Sequence, residues 1–135
     1  MSLLGKRKGR PTTKIQFDAI LKRFTVFLKR ELRLTYDVPV ILIDDADYAK
    51  RNAAFGEITK DNVIYLSVIN RHPMDILRTL AHEFVHYKQN MEKGLGRKSS
   101  NAGSPIENQA NAKAGELMRK YGQLHPELFD LMPLR

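Results

Sequence analysis

Residues 72–94 read HPMDILRTLAHEFVHYKQNMEKG, and this stretch decides the fold. Pro73 suits the first position of a helix and Gly94 suits the residue after its end, so the pattern predicts one helix from Pro73 to about Lys93. Apolar residues at helical spacing predict its core-facing surface: Ile76, Leu77, Leu80, Ala81, Phe84 and Met91. The segment HEFVH, residues 82–86, falls beside this surface in the middle of the helix.

The segment HEFVH places two histidines, His82 and His86, four residues apart, with Glu83 directly after the first. Residues i and i+4 lie one above the other on a helix, so both imidazoles can reach one ion. Glu83 suits a general base that takes a proton from water rather than a ligand. The chain has no cysteine, so any metal site must use imidazole and carboxylate. The pattern predicts a Zn²⁺ site; the alternative is two histidines that only hydrogen-bond around a core helix.

A catalytic zinc site normally has three protein ligands and one open position, so a third ligand must come from another segment. The candidates after His86 are Glu92, Glu107, Glu116, His125 and Glu127. Glu92 follows on the same helix and points away. Glu107 falls in the first turn of a helix opened by Pro105, after a loop (94–103) long enough to reverse the chain. Two antiparallel helices bring Glu107 opposite both histidines, so it is the predicted third ligand; its alternative role is a carboxylate that favours a helix N-terminus.

The segments on either side complete a small mixed fold. Thr13 followed by Gln16 matches a capping box at the start of an amphipathic helix. The predicted elements besides the HEFVH helix are a helix over 14–34, a buried strand over 38–44, a hairpin of strands over 53–59 and 62–70, a helix over 105–121, and a turn or short helix over 126–131. The order predicts an α+β fold with an N-terminal helix, a small three-stranded mostly antiparallel sheet, the HEFVH helix and a third-ligand helix.

The sequence resembles the gluzincin metallopeptidases, in which HExxH is followed by a glutamate ligand on a later helix. The stretch ENQANAKA, residues 107–114, is similar to the E-x-x-A-N-x-x-A stretch of ImmA/IrrE-type peptidases, and the resemblance spans roughly residues 53–118. It implies a minimal zincin-like fold and zinc-dependent peptide hydrolysis with Glu83 as the base. The thermolysin-like pattern has Asp where this chain has Asn111, whose amide can still accept a hydrogen bond from an imidazole but without charge. SprT-like proteases are a poorer match because they use a third histidine.

Other parts of a catalytic site are less fixed by the sequence. The candidates for an additional donor to the reacting carbonyl are Tyr87, Tyr121 and His125, and packing or surface roles are their alternatives. Arg78, one turn before His82, either faces the cleft or is an ordinary exposed arginine. The strand over 62–69 offers a free edge on which an extended substrate could add a strand.

Length and charge limit the remaining possibilities. A chain of 135 residues suits one domain, with residues 1–13 as a basic flexible tail and 14–135 as a zincin-like metallopeptidase domain. No apolar run approaches bilayer length and no signal peptide is evident, so a cytoplasmic protein without membrane association is expected. Of the net charge of +8, five positive charges lie in the first fourteen residues: Lys6, Arg7, Lys8, Arg10 and Lys14. This tail either contacts nucleic acid weakly or only keeps the protein soluble.

Three functional hypotheses follow from these patterns. The first is a zinc metalloendopeptidase that acts on a peptide or protein substrate. The second is a nucleic-acid-associated module in which the basic tail dominates. The third is a zinc-stabilised regulatory or interaction protein that does not turn over a substrate.

Overall fold

The computed structural model describes residues 9–52, 54–93 and 104–135. It is an α+β arrangement, as predicted. In chain order the elements are α1 (Lys14–Leu32), β1 (Val40–Ile43), α2 (Tyr48–Asn52), β2 (Gly56–Ile58), β3 (Ile64–Ser67), α3 (Pro73–Lys93), α4 (Pro105–Leu124) and a 3₁₀ helix (Pro126–Asp130). Within those ranges, no helix combines the length and the apolar character that crossing a bilayer requires. The predicted stop at Gly94, the loop over 94–103 and the charges of Lys6, Arg7 and Lys8 lie outside the described residues.

Helix α1 begins with the predicted capping box. Thr13 Oγ1 accepts from the Gln16 amide at 3.0 Å, and Gln16 Oε1 accepts from the Thr13 amide at 2.9 Å. Two amides that have no helical partner are thereby satisfied. The helix ends at Leu32, two residues before the predicted end, because Arg33 adopts a left-handed conformation with φ 57°. The buried face of α1 carries Phe17, Ile20, Leu21, Phe24, Phe27, Leu28 and Leu32.

The sheet is mixed, so the prediction of a mostly antiparallel sheet was wrong. Strand order is β1-β3-β2, with β1 parallel to β3 and β2 antiparallel to β3. The cause is the unpredicted helix α2, which lies between β1 and β2 in the chain. Parallel neighbours need a crossover connection, and the segment containing α2 and β2 supplies one. The short turn between β2 and β3 then forms the predicted hairpin.

This strand order also overturns the prediction that the strand over 62–69 offers a free edge. That strand is β3, which pairs on both sides. Its backbone groups are therefore already used within the sheet. The two edges of this three-stranded sheet are β1 and β2.

Helix α3 is the central element of the core. Its apolar face includes Ile76, Leu77, Leu80, Ala81 and Phe84, all with no exposed surface. Burying one such Leu, Ile or Phe side chain contributes about 1.5–3 kcal/mol, so the rotation of α3 about its axis is strongly fixed. Met91 is 50% exposed, contrary to its predicted place on this face. The helix contacts α1, α4, β2 and β3.

Gly56, the first residue of β2, lies against α3. A Cβ built at this position would be 2.6 Å from Thr79 Cγ2 and 3.2 Å from both Leu66 Cδ2 and the Tyr65 carbonyl oxygen. Real Cβ atoms essentially never come as close as 2.6 Å to another heavy atom. The absence of a side chain at Gly56 is therefore what lets the strand and the helix meet at this distance.

We expect Gly56→Ala to lower the free energy of unfolding by about 1–3 kcal/mol, because it overpacks the strand–helix contact. Adding Thr79→Ser should restore part of that loss, since it removes Cγ2 but keeps the hydroxyl that bonds to Arg71 and the Asp75 carbonyl. Gly115→Ala is the matched control, because its Cβ would meet only Arg119 Nη1 at 3.6 Å. That control should stabilise helix α4 slightly. Urea unfolding measures all four proteins, and an unaltered midpoint for Gly56→Ala would contradict the close contact.

Residues near the two ends of the chain form a bridge beside the start of α3. Thr12 pairs with Leu134 in a parallel β-bridge, and its amide donates to the Pro133 carbonyl at 3.2 Å. Leu134 is fully buried, its amide donates to the Arg71 carbonyl, and its carbonyl accepts from the Asn70 amide. Thr12 belongs to the segment predicted as a flexible tail. The residues around 134 therefore hold Thr12 against the turn that leads into α3.

Candidate metal centre

His82 and His86 lie one helical turn apart on α3. Their Nε2 atoms are 3.1 Å apart, and their rings are nearly perpendicular, with centroids separated by 4.6 Å. His86 is 5% exposed, and the side chain of His82 is 20% exposed. The i, i+4 spacing and the fixed rotation of α3 together place both rings at one edge of the core.

Glu107 is brought to the two histidines from α4. Ser104 caps this helix, because its hydroxyl accepts from the Glu107 amide at 3.1 Å, and Pro105 occupies the first turn. Glu107 Oε1 is 2.6 Å from His82 Nε2 and 3.3 Å from His86 Nε2. The three predicted ligands therefore converge, and over residues 9–52, 54–93 and 104–135 they are the one such group found.

The spacing of these three atoms fits a small tetrahedral ion. Bonds of about 2.0–2.2 Å to such an ion place neighbouring ligand atoms about 3.4 Å apart. The distances of 3.1 Å between the imidazoles and 3.3 Å from His86 to Glu107 are close to that value. His82 Nε2 and Glu107 Oε1 are 2.6 Å apart, which is a hydrogen-bond distance. This distance would have to lengthen by less than an ångström for both atoms to bind one ion. Two imidazoles and one carboxylate can thus hold a metal ion without rearranging the helices.

The electrostatic environment keeps His82 in the form that a metal needs. Burial lowers the pKa of the His82 imidazole, and the neighbouring His86 lowers it further. Glu107 and the hydrogen bond that the His82 ring donates to Asn111 act in the opposite direction, but the net shift of the pKa is downward. A lowered pKa leaves the imidazole neutral at neutral pH, with a lone pair free to bind an ion. Near neutral pH, a metal ion would therefore not have to displace a proton from a cationic His82 ring.

Each of the two histidines also contacts an amide side chain. Asn111 accepts a hydrogen bond from the His82 ring, which confirms the predicted contact at the position where the thermolysin-like pattern has Asp. His86 Nδ1 lies 2.8 Å from Gln89 Oε1. Gln89 was not predicted from the sequence, although a polar residue three positions after His86 shares its helix face. Such contacts orient ligand rings and tune their basicity.

Glu83 is buried, with 7% of its surface exposed, and it is not part of the ligand group. Its charge contributes to raising the pKa of Tyr48 on α2, a helix that was not predicted from the sequence. Burial raises the pKa of Tyr48 to about 12, aided by the hydrogen bond to Glu57 at 2.9 Å and, to a smaller extent, by the charges of Glu57 and Glu83. Glu83 and Tyr48 therefore share one electrostatic environment at the sheet side of α3.

The other candidate ligands lie elsewhere. Glu92 is paired with Lys88 on the exposed surface of α3. Glu116 is paired with Lys113, and Glu127 lies 3.3 Å from His125 Nδ1. None of these carboxylates belongs to the group formed by His82, His86 and Glu107.

The structure does not support a catalytic role for the three candidate hydrogen-bond donors to a reacting carbonyl, which are Tyr87, Tyr121 and His125. Tyr121 lies fourteen residues after Glu107 on α4, which is about 20 Å along a helix. Its ring packs against Phe24 and Phe27, with centroids 4.8 Å away in both cases. His125 packs against Tyr121, and Tyr87 is 6% exposed within the core. Packing explains all three positions.

No protein-family model, curated protein or solved structure matches this chain. The resemblance to gluzincins and to ImmA/IrrE-type peptidases therefore rests on HEFVH and on the stretch from Glu107 to Ala114, and it stays a prediction.

Proposed function

We propose that this protein is a zinc-dependent peptidase whose metal ligands are His82, His86 and Glu107. One observation carries the proposal: the two histidines of an HExxH helix and a glutamate from the next helix converge within hydrogen-bonding distance. Glu107 is 21 positions from His86 and 25 from His82, so local sequence alone does not bring it to the two histidines. A simple charge pair or a packing role would not need all three ligand atoms at one point.

The number of ligands favours catalysis over a purely structural site. Structural zinc sites are closed by four protein ligands, whereas catalytic sites use three and keep one position open. The group in the described residues contains three. When bound, zinc acts as a Lewis acid that polarises a carbonyl and makes water a nucleophile near neutral pH.

The chain's own contribution to the reaction is proton transfer by Glu83. The carboxylate of Glu83 accepts the proton of the attacking water and passes it to the nitrogen of the leaving amine. Burial around Glu83 excludes bulk water, which strengthens its electrostatic interactions. No step requires Glu83 to bind the metal, in keeping with its place outside the ligand group.

An open groove beside α3 offers room for a substrate chain. It has a volume of about 660 Å³, and its lining includes Asp75, Arg78 and Thr79 of α3 together with Phe55, which directly precedes β2. Arg78 lies one turn before His82, is exposed and lines this groove, so its position fits both a cleft-facing and an ordinary exposed arginine. Because β2 is an edge of the sheet, an extended peptide can pair with it and pass into this groove.

The first test is metal content together with cleavage. We expect the protein purified without chelators, or reloaded with Zn²⁺, to hold one zinc per chain by elemental mass spectrometry. A mixture of peptides analysed by mass spectrometry should then show cleavage that stops when 1,10-phenanthroline is added and resumes with zinc. A chain that binds one zinc but cleaves nothing across a broad peptide library would instead support the zinc-stabilised interaction protein.

A further inference from the structure

Gln89 is a buried polar residue whose amide is fully used between α3 and α4. Only 4% of the surface of Gln89 is exposed. Oε1 is 2.8 Å from His86 Nδ1, while Nε2 donates to the Ile106 carbonyl at 3.1 Å and to Gln109 Oε1 at 2.7 Å. A side-chain amide has one oxygen and two N–H groups, so each finds a partner in this arrangement.

These contacts fix which ring nitrogen of His86 carries hydrogen. The Ile106 carbonyl can only accept a hydrogen bond, so Nε2 of Gln89 must face α4 and Oε1 must face His86. An amide oxygen can only accept, and His86 Nδ1 is therefore the protonated nitrogen. The lone pair of His86 then lies on Nε2, the atom that faces His82 and Glu107.

The same side chain also holds the segment that carries the third ligand. Ile106 directly precedes Glu107, and Gln109 follows it by two residues. Gln89 therefore contacts His86 on α3, and on α4 it contacts residues on both sides of Glu107. The same turn is also held by the helix cap, in which Ser104 Oγ accepts from the Glu107 amide, and by the Asn108 amide, which donates to the Ser104 carbonyl.

We propose that Gln89 is a positioning residue that sets metal affinity, by fixing the tautomer of His86 and the place of Glu107 together. This inference rests on the proposed metal site and adds to it a residue that is not a ligand. The competing explanation is a polar contact that only stabilises the packing of α3 on α4. If Gln89 positions the ligands, its replacement should weaken zinc binding by more than the loss of stability of the metal-free protein explains. If Gln89 only supports packing, the change in zinc affinity should not exceed that loss.

The experiment measures the zinc Kd by competition with a chelator of known affinity. Gln89→Met keeps the length of the side chain but removes all three hydrogen bonds, and we expect zinc binding to weaken by about 10–100-fold. Gln89→Glu keeps an acceptor for His86 but loses the donors to α4, so its affinity should fall between that of Gln89→Met and the original protein. ¹⁵N NMR of the metal-free protein should show His86 protonated on Nδ1 in the original and Gln89→Glu proteins but not in Gln89→Met.

If Gln89→Met fails to fold, two exposed glutamines on α4 provide a second test with its own control. Gln109→Met removes the α4 acceptor of Gln89, whereas Gln123→Met alters an exposed glutamine at the other end of the helix. We expect Gln109→Met to weaken zinc binding by several-fold and Gln123→Met to leave it unchanged. The inference is overturned if both Gln89 variants and Gln109→Met bind zinc as tightly as the original chain. If the original chain binds no zinc at all, the proposed function fails first.

Discussion

Glu83→Gln is expected to reduce peptide hydrolysis by about 10²–10⁴-fold and to leave zinc content at one per chain. The amide has nearly the same shape as the carboxylate, but it cannot accept the proton of the attacking water. Because Glu83 is not among the converging ligand atoms, its replacement removes no bond to the metal. Both quantities come from one preparation, by elemental analysis and by the initial rate on a peptide found to be cleaved.

Glu92→Gln is the control for this variant. Glu92 lies on the same helix and is exposed, and its pair with Lys88 is of the kind that contributes at most about 1 kcal/mol. Its replacement should alter neither the rate nor the zinc content. Near-normal hydrolysis by Glu83→Gln would remove Glu83 from the role of base. Loss of zinc from Glu83→Gln would instead show that this buried carboxylate supports the site itself.

Glu107→Ala is expected to weaken zinc binding by more than the roughly 100-fold limit typical of residues that only orient a ligand. It removes one of the three proposed ligands and leaves two imidazoles from a single helix. Hydrolysis should be lost together with the metal, unlike in Glu83→Gln. The readouts are the zinc Kd and the thermal midpoint with and without added zinc, since a ligand present at about a thousand times its Kd stabilises the folded state by about 4 kcal/mol.

Glu116→Ala is the matched control on the same helix. Glu116 is exposed and its carboxylate lies 3.5 Å from Lys113 Nζ, so its loss should leave zinc binding unchanged. In the metal-free protein, Glu107→Ala should lower the free energy of unfolding by about 1–3 kcal/mol, because it also removes the hydrogen-bonding partner that lies 2.6 Å from His82 Nε2. If zinc raised the midpoint of Glu107→Ala as much as that of the original protein, the third ligand would have to be another group.

The features that the sequence predicted well depend on residues close together in the chain. The capping box of Thr13 and Gln16, the start of α3 at Pro73 and the pairing of His82 with His86 all follow from spacings of four residues or fewer. Glu107 was found because a reversal between two helices leaves few geometric alternatives. In these cases a short-range rule determined the structure almost alone.

The predictions that failed concern features that depend on contacts between residues far apart in the chain. The parallel pairing of β1 with β3 depends on α2, a helix of five residues whose local signal is weak. Met91 fits the periodicity of α3, but a helix of 21 residues is about 30 Å long and its last turns extend past the core. Gln89 was missed because its value comes from Ile106 and Gln109, which lie 17 and 20 residues away.

The bridge between Thr12 and Leu134 bears on how long the folded domain persists. Thr12 Oγ1 donates to the Met132 carbonyl across 120 residues, so the contact closes a loop that includes every helix and strand of the domain. Closing so long a loop is entropically costly, and such contacts form only after most of the chain is already in place. Interactions absent from the folding transition state slow unfolding without speeding folding. We therefore expect this bridge, which lies apart from the proposed metal ligands, to lengthen the lifetime of the native state.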